Sequence, residues 1–344
     1  MDCLVTTLQG VVNDDSLMKI GEMRIRVNSD KLTAGVNFGR YYSEGVQPFV
    51  IRTKDGSAKL TTNSNGANLV SEIEFTQEIS KNQTIYFAPG QYDVSIINKS
   101  GIGVISSYNA SGLGIDSSYI SRMPKIRFFT WANPSAVFDV SNLRDFPDIE
   151  SIYLEGDKII GNLYGLTKVK NIKTELSLIK TMINDDVTRL FDCNIGKKII
   201  LENNLGLTGD VMSAISHNAE LEYLSFIRST NLVGNVSSIR GLNKLQSLYI
   251  NITNIACDIE ELGTFISLTT FAGASNPNVY GTIESMVAKF RSYGRTSGNL
   301  TLNYGIGLSK VTYNGQSMVD YCKNNLGSKE SPVVSWTANT ITIS

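Results

Sequence analysis

A short glycine signature recurs at nearly even spacing through the second half of the chain, and this repeat limits the possible folds more than any other feature. Six copies begin at positions 161, 185, 209, 234, 257 and 281, so successive copies lie 23 to 25 residues apart. The copies are Gly161-Asn-Leu163, Asp185-Asp-Val187, Gly209-Asp-Val211, Gly234-Asn-Val236, Cys257-Asp-Ile259 and Gly281-Thr-Ile283. A period of this length predicts a repeat architecture in which each unit packs against its neighbours.

Each unit contains a strand signal before the signature and a helix signal after it. The strand signal is an apolar-x-apolar pair, present at Ile152/Leu154, Leu176/Leu178, Ile199/Leu201, Leu224/Phe226, Leu248/Ile250 and Phe271/Gly273, and after a longer step at Leu300/Leu302. The helix signal is clearest in Ile283, Met286, Val287 and Phe290. We expect Val187, Leu190 and Phe191 to form the same kind of buried face. The pattern therefore predicts an α/β solenoid with about 24 residues per repeat.

One unit is similar to a known repeat. Leu221-x-x-Leu224-x-Phe226, followed by Asn231-Leu232-x-Gly234-x-Val236, resembles the leucine-rich repeat, and the resemblance covers about residues 145 to 310. It implies strands on the concave side of a horseshoe and a ladder of buried asparagines that satisfies loop backbone groups. Asparagine-rich stretches occur at Asn203-Asn204-Leu205, Asn231-Leu232 and Asn278-Val279.

The flanks of the repeat region have a different pattern. Residues 1–105 contain apolar segments of strand length, separated by turn signals such as Asn65-Gly66. Strands are predicted at 3–8, 18–27, 49–52, 84–87 and 92–97. The fold class is therefore α+β, with a β-rich, sandwich-like anchoring or oligomerisation domain at 1–105 and a Ser/Gly-rich junction at 106–121. The leucine-rich-repeat solenoid follows at 122–310, and residues 311–344 form a small C-terminal cap with a helix at 318–322 and strands at 333–337 and 340–343.

Composition excludes several classes of function. Lys and Arg number 31 against 32 Asp and Glu, which leaves a net charge of -1 and no basic surface for nucleic acid. No run of 18 apolar residues occurs, so we expect no membrane insertion. Asp2 stands where a secretory signal needs positive charge, so we expect no signal peptide.

The side chains that usually perform catalysis are scarce. His217 is the only histidine, which excludes a multi-histidine metal site, and we expect it to be a surface or capping residue. The cysteines have no C-x-x-C spacing, and we expect them to be reduced core residues: Cys3, Cys193, Cys257 and Cys322. We therefore expect no cofactor, no metal and no catalytic residue.

Three carboxylates keep an enzymatic alternative open. Glu155, Glu175 and Glu202 are expected on the strand side of the solenoid, where a pair can approach the separation that a glycosidase needs. A solvated polar face is the simpler interpretation, and we expect no enzymatic activity.

The concave face is the predicted binding site. The residues that alternate with the buried pairs are unusually apolar for a solvated sheet face: Tyr153, Ile179, Ile200, Tyr223, Ile227, Tyr249 and Asn251. Such patches mark interfaces more often than bare surface. The alternative is that another domain, or a flank of the same chain, covers this face.

The first residues carry a second resemblance. Residues 3–27, CLVTTLQGVVNDDSLMKIGEMRIRV, look like the start of β-rich, repeat-bearing proteins of crAss-like and other Bacteroidales gut phages. This implies a non-enzymatic virion structural protein, a fibre or decoration on head or tail, that binds other virion proteins and itself, in a homo-oligomer expected to be a trimer. It also implies attachment to a host surface protein or glycan. The alternatives are a bacterial cell-surface leucine-rich-repeat adhesin and a phage glycan depolymerase.

Overall fold

One large sheet organises the chain. A computed structural model describes residues 23–39, 48–75, 82–97, 102–120, 123, 125–143, 146–303, 309–329 and 331–344. Fourteen of the described strands form this sheet, here called the main sheet. In spatial order they are Leu60–Thr61, Gln83–Phe87, Val36–Gly39, Val104–Ser107, Phe128–Ala132, Ser151–Glu155, Glu175–Ile179, Lys198–Glu202, Tyr223–Ser225, Ser247–Tyr249, Thr270–Ala272, Gly298–Asn303, Val333–Trp336 and Ile341–Ile343.

The central strands, from Val104–Ser107 to Gly298–Asn303, run parallel and in register. Their core-side residues stack 23 to 25 positions apart, in the order Phe129, Ile152, Leu176, Ile199, Leu224, Leu248 and Phe271. All seven are at most 2% exposed. The alternation predicted for these strands is therefore confirmed, since every second residue enters the core.

Helical segments follow the strands, as the change of period predicts. The α-helices are Ser117–Ile120, Tyr164–Val169, Val211–Ile215, Ile283–Ser292 and Met318–Asn325. Tighter 3-10 helices occupy the same place in other coils, at Val140–Asn142, Val187–Asp192, Val236–Ile239 and Ile259–Thr264. One strand and one helical segment per coil is the arrangement of a solenoid.

One sequence prediction is wrong in detail. The helical spacing places Phe191 in the core, but this side chain is 60% exposed. Because Val187–Asp192 is a 3-10 helix with three residues per turn, Val187 and Leu190 share its buried face and Phe191 does not.

The glycine signature marks the start of six helical segments, from Tyr164–Val169 to Ile283–Ser292. In most copies the residue after the glycine position is an N-cap whose side-chain oxygen accepts a backbone N–H: Asp186 from Thr188 at 2.8 Å and Asp210 from Ser213 at 2.9 Å. The same bond recurs at the caps Asp139, Asn235, Asp258 and Thr282. Each cap satisfies a helix donor that has no partner within the helix.

The glycine itself is required by contact between coils. Gly209 has φ +98°, a conformation that side chains disfavour, and a β-carbon there would lie 2.3 Å from Oδ1 of Asp186, the cap of the preceding coil. Gly161 and Gly281 meet Asp139 and Asp258 in the same way. The glycine therefore lets one coil approach the cap of the coil before it.

A ladder of buried polar side chains, here called the corner ladder, lies just beyond the strands. Its members are Thr181, Asn204, Ser229, Thr253 and Asn276, none more than 2% exposed. Asn204 accepts hydrogen bonds from Thr181 N at 2.9 Å and Thr181 Oγ1 at 2.7 Å, and it donates to Leu178 O at 2.7 Å. Ser229 accepts from Asn204 N at 3.1 Å and donates to Leu201 O at 2.7 Å. The ladder thus links consecutive coils and satisfies their buried backbone groups.

Only part of the asparagine ladder implied by the leucine-rich-repeat resemblance is buried. Asn204 and Asn276 belong to the corner ladder, whereas Thr and Ser fill the other positions. Asn231 and Asn278 lie further out and donate from Nδ2 to the carbonyl oxygens of Leu205, at 2.6 Å, and Asn254, at 3.2 Å. A serine or threonine hydroxyl can both accept and donate a hydrogen bond, so it can take the place of an asparagine amide in the corner ladder.

The N-terminal part is antiparallel. A five-stranded sheet has the order Glu72–Phe75, Phe49–Thr53, Gly90–Ile97, Met23–Ser29 and Leu113–Ile115. The strands predicted at 49–52, 84–87 and 92–97 are confirmed, while residues 3–8, 18–22 and Cys3 lie outside the described residues. The sandwich-like packing of this part stays a prediction.

The predicted junction at 106–121 is structured where it is described. It contains the end of Val104–Ser107, which is parallel to Phe128–Ala132, and the strand Leu113–Ile115, which is antiparallel to Met23–Ser29. The first parallel strand therefore begins before the predicted solenoid limit. The domain limits themselves stay predictions.

The C-terminal region covers the last coil. Val333–Trp336 pairs antiparallel with Gly298–Asn303, and Ile341–Ile343 completes the hairpin. The ring of Trp336 stacks on Phe290 at 4.7 Å between centroids. The predicted helix and both predicted strands of the cap are thus confirmed.

Short strands form small sheets away from the main sheet. Their members are Phe138–Asp139, Ile159–Gly161 and Met182–Ile183; Asn171–Ile172 and Asn194–Ile195; Asp185–Asp186, Leu207–Asp210 and Leu232–Val233; and Cys257–Asp258, Val279–Thr282, Val311–Tyr313 and Gln316–Ser317. No helix in the described ranges is both long and apolar enough to cross a membrane.

Leu248→Ala should lower the free energy of unfolding by about 2–5 kcal/mol, because it removes a fully buried side chain from the stacked core. Tyr249→Ser, one residue later on the opposite face, should cost clearly less. Urea unfolding of both variants measures the difference. Unchanged stability of Leu248→Ala would contradict the register described above.

Gly209→Ala should destabilise the protein by more than about 1 kcal/mol, because it combines a disfavoured φ with a clash against the Asp186 cap. Gly241→Ala is the matched control, since a β-carbon at Gly241 meets no atom within 4 Å. Its effect should stay within about 0.5 kcal/mol. Thermal unfolding compares the two, and equal effects would argue against a role for the glycine signature in coil contact.

Candidate functional site

The main sheet presents one face to the core and one away from it, and the second is here called the outer face. In the parallel strands its side chains form three columns. The first column is Ser151, Glu175, Lys198, Tyr223, Ser247 and Thr270; the middle column is Tyr153, Ser177, Ile200, Ser225, Tyr249 and Ala272; the third begins with Glu155, Ile179 and Glu202. These columns follow directly from the two-residue period of the strands.

The outer face contains all seven residues predicted as the binding site. Tyr153, Ile200 and Tyr249 lie in the middle column, Tyr223 in the first and Ile179 in the third. Ile227 and Asn251 continue the third column beyond the strand ends, where their carbonyls accept from Asn203 N and Arg228 N at 2.8 and 2.9 Å. Six are half-buried, and Ile200 is only 9% exposed. Their role in binding stays a prediction.

Two serines between the large residues are completely buried. Ser177 and Ser225 flank Ile200 in the middle column, and neither has any exposed surface. Ser177 Oγ donates to Glu175 Oε1 at 2.5 Å, and Ser225 Oγ donates to Glu202 Oε1. These hydrogen bonds fix the two serines and the neighbouring glutamates, so the larger side chains around them are packed against an ordered surface.

The three carboxylates of the predicted strand side lie on this face, but their partners differ. Glu155 accepts from Tyr153 Oη at 2.7 Å and pairs with Lys180 Nζ at 3.6 Å. Glu175 accepts from Ser177 and pairs with Lys198 Nζ at 3.4 Å. The side chain of Glu202 accepts from Ser225. Within the part of the chain that the structure describes, Glu202 forms no ion pair.

Aromatic contacts join the columns. The rings of Tyr223 and Tyr249 lie 5.3 Å apart, and Lys198 Nζ lies 5.2 Å from the Tyr223 centroid. Burial, then the neighbouring Tyr249 and Glu202, raise the pKa of Tyr223 to about 12. Burial and the hydrogen bond to Glu155 raise the pKa of Tyr153 well above its usual value. Both phenols therefore stay neutral at physiological pH.

Part of this face has no clear signal in the sequence. Tyr108 is 71% exposed and its ring packs edge-on against Tyr153 at 5.5 Å, although it lies in the predicted junction. The one available signal is its position, since it follows Val104–Ser107, and Ile105 lies 24 residues before its partner Phe129. Ser177 and Ser225 give no signal, because an isolated serine within a strand is not distinctive.

His217 lies at the edge of the small sheet formed by Asn171–Ile172 and Asn194–Ile195. Its Nε2 donates to Cys193 O at 3.1 Å, and the adjacent Asn218 accepts from Ile195 N at 2.7 Å. Both side chains line a groove of about 590 Å³. The two side chains bond to the backbone carbonyl of Cys193 and the backbone N–H of Ile195 at the edge of this two-stranded sheet. This position fits the capping role expected for His217.

The thiols are part of the core. Cys193, Cys257 and Cys322 are free and buried, as expected. Burial raises the pKa of Cys193 to about 12, so this thiol is unreactive. No three His, Cys, Asp or Glu side chains in the described ranges are grouped so that they could hold a metal ion.

Solved structures similar to this chain include two internalins of Listeria monocytogenes. Internalin C2 is 18% identical, covers 58% of this chain and 80% of its own length, and has a TM-score of 0.39. Internalin F is 11% identical, covers 57% of this chain and 72% of its own, and has a TM-score of 0.31. No protein-family model and no curated protein matches the chain.

Proposed function

We propose that this protein is a non-enzymatic interaction protein that binds a protein partner through its outer face. The observation that carries the proposal is the group of Tyr153, Ile200, Tyr223 and Tyr249 on one face of the main sheet, of which the last three lie on consecutive strands. Tyrosine is enriched at protein interfaces because its ring buries a large area while its hydroxyl keeps a polar partner.

The large side chains of this face stand on regular, well-packed strands, which favours binding of a partner protein without rearrangement of the face. The strands below it are held in parallel register, and buried serines fill the space between the large side chains. Side chains that are already fixed lose little entropy when a partner binds. A preformed face of this kind is typical of repeat solenoids that bind macromolecules.

The absence of enzymatic activity is part of the proposal. A glycosidase needs one carboxyl group as acid and a second as nucleophile or base. Here Glu155 and Glu175 are each engaged by a hydroxyl and a lysine, and Glu202 by a hydroxyl. These contacts favour a structural role for the three carboxylates, in which they hold the side chains of the outer face in place. The phage glycan depolymerase is the less favoured alternative.

The biological setting that we propose is a phage virion. Its support is the resemblance of residues 3–27 to proteins of Bacteroidales gut phages, together with a nearly neutral net charge of -1. In this setting the chain is a fibre or decoration protein on head or tail, contacts other virion proteins and binds a host surface protein. A bacterial cell-surface adhesin is the alternative setting, and it uses the same face.

Fluorescently labelled full chain should bind Bacteroidales cells, and protease treatment of the cells should abolish binding. Tyr249→Asp should weaken binding about tenfold, because it places a charge in the centre of the patch. Tyr280→Asp is the control, since Tyr280 is exposed on a small sheet outside the outer face. Equal binding by both variants would contradict the proposed face, and loss on periodate instead of protease treatment would indicate a glycan.

The full chain should form a homo-oligomer, which we propose to be a trimer that associates partly through residues 1–105. Light scattering at micromolar concentration gives the mass, and cross-linking mass spectrometry locates the contact in the intact chain. The intact chain is preferable because truncation at residue 122 would remove Val104–Ser107 and uncover Phe128–Ala132. A monomeric mass would refute self-association, and cross-links confined to 122–310 would move the contact to the solenoid.

A further inference from the structure

The outer face contains one carboxylate whose charge is not balanced. Lys180 and Lys198 neutralise Glu155 and Glu175, at 3.6 and 3.4 Å. Among the described residues, the side chain of Glu202 accepts only from the Ser225 hydroxyl, at Oε1, and it forms no ion pair. Its Oε2 therefore has no partner within the described chain.

Three isoleucines share the outer face with Glu202. Ile179 is its register partner on one adjacent strand, and Ile227 occupies the matching position on the other, where its carbonyl accepts from Asn203 N. Ile200 lies two residues earlier on the same strand and on the same face. Since neighbouring strands are about 4.8 Å apart, Ile179 and Ile227 are the neighbours of Glu202 across the sheet.

Such an arrangement suits a complex with a cationic side chain. A cation brought by a partner can pair with a carboxylate that has no ion-pair partner in the described chain. When the partner covers the three isoleucines it also excludes water, which strengthens the attraction between the two charges.

We propose that Glu202 is the specificity residue of the outer face and that it binds a lysine or arginine side chain of the partner protein, flanked there by apolar residues. This inference rests on the proposed function. A single carboxylate with one oxygen engaged suits a side-chain cation, whereas a divalent metal ion needs several such ligands. Ile179, Ile200 and Ile227 receive the apolar neighbours of that cation.

A yeast-displayed library of random peptides, selected on the intact protein, tests the proposal even though the partner is unidentified. Enriched peptides should carry lysine or arginine next to apolar residues. Glu202→Gln, which keeps the size of the side chain, should weaken their binding about tenfold or more. Glu202→Lys should instead select acidic peptides. The control is Glu220→Gln, because Glu220 is exposed, pairs with Lys244 and lies outside the outer face.

The outcomes separate this inference from the proposed function. Peptides whose binding falls with Tyr249→Ser but not with Glu202→Gln would overturn the role of Glu202 and leave the binding face intact. If no enriched peptide depends on Tyr249, both fail, and a glycan array then tests whether the face binds sugars. The thermal unfolding midpoint of each variant shows whether the variant is folded at the temperature of the binding experiment. If Glu202→Lys does not fold, Glu202→Gln alone tests the role of Glu202.

Discussion

The corner ladder is the interaction on which the rest of this structure depends. At the end of each strand the chain turns inside the protein, where backbone N–H and C=O groups have no water to bind and would each cost free energy if left unpaired. The side chain of Asn204 satisfies two backbone groups of the preceding coil, because it accepts from Thr181 N and donates to Leu178 O. Ser229 and Asn276 also donate to the preceding coil, at Leu201 O and Ile250 O, so these corners form only when neighbouring coils are in place. Stability is therefore shared along the array.

The outer face inherits its order from that arrangement. Once the core residues of successive strands are in register, the alternating residues must also be in register, since a strand has only two faces. Tyr153, Ile200 and Tyr249 thus share one column because Ile152, Ile199 and Leu248 share another. The chemistry of the face can change without loss of the core, because the two sets of side chains occupy separate positions.

Much of this fold is predictable from the sequence, and the remainder depends on contacts between coils. The period and the alternation of pairs such as Leu248/Ile250 predict strands, because burial selects apolar residues at fixed positions. The glycine signature predicts where helical segments begin, but its cause, the approach of Gly209 to Asp186, joins residues 23 positions apart. Spacing alone places Phe191 wrongly, because it does not distinguish a short α-helix from a 3-10 helix. The strand-side position of Glu155, Glu175 and Glu202 is predictable from the sequence. The lysines that pair with the first two come from neighbouring coils, so only the structure shows that Glu202 differs from them in having no ion pair among the described residues.

The terminal hairpin, Val333–Trp336 with Ile341–Ile343, has a consequence for how such proteins can vary. It reverses strand direction and ends the series of parallel strands in the main sheet. Duplication or deletion of one internal coil in the gene would leave the hairpin and the antiparallel N-terminal strands untouched. The face would then gain or lose width in steps of one strand, about 4.8 Å. Recombination between internal repeats can therefore adjust the reach of the face to a partner of different size before any single residue has to change.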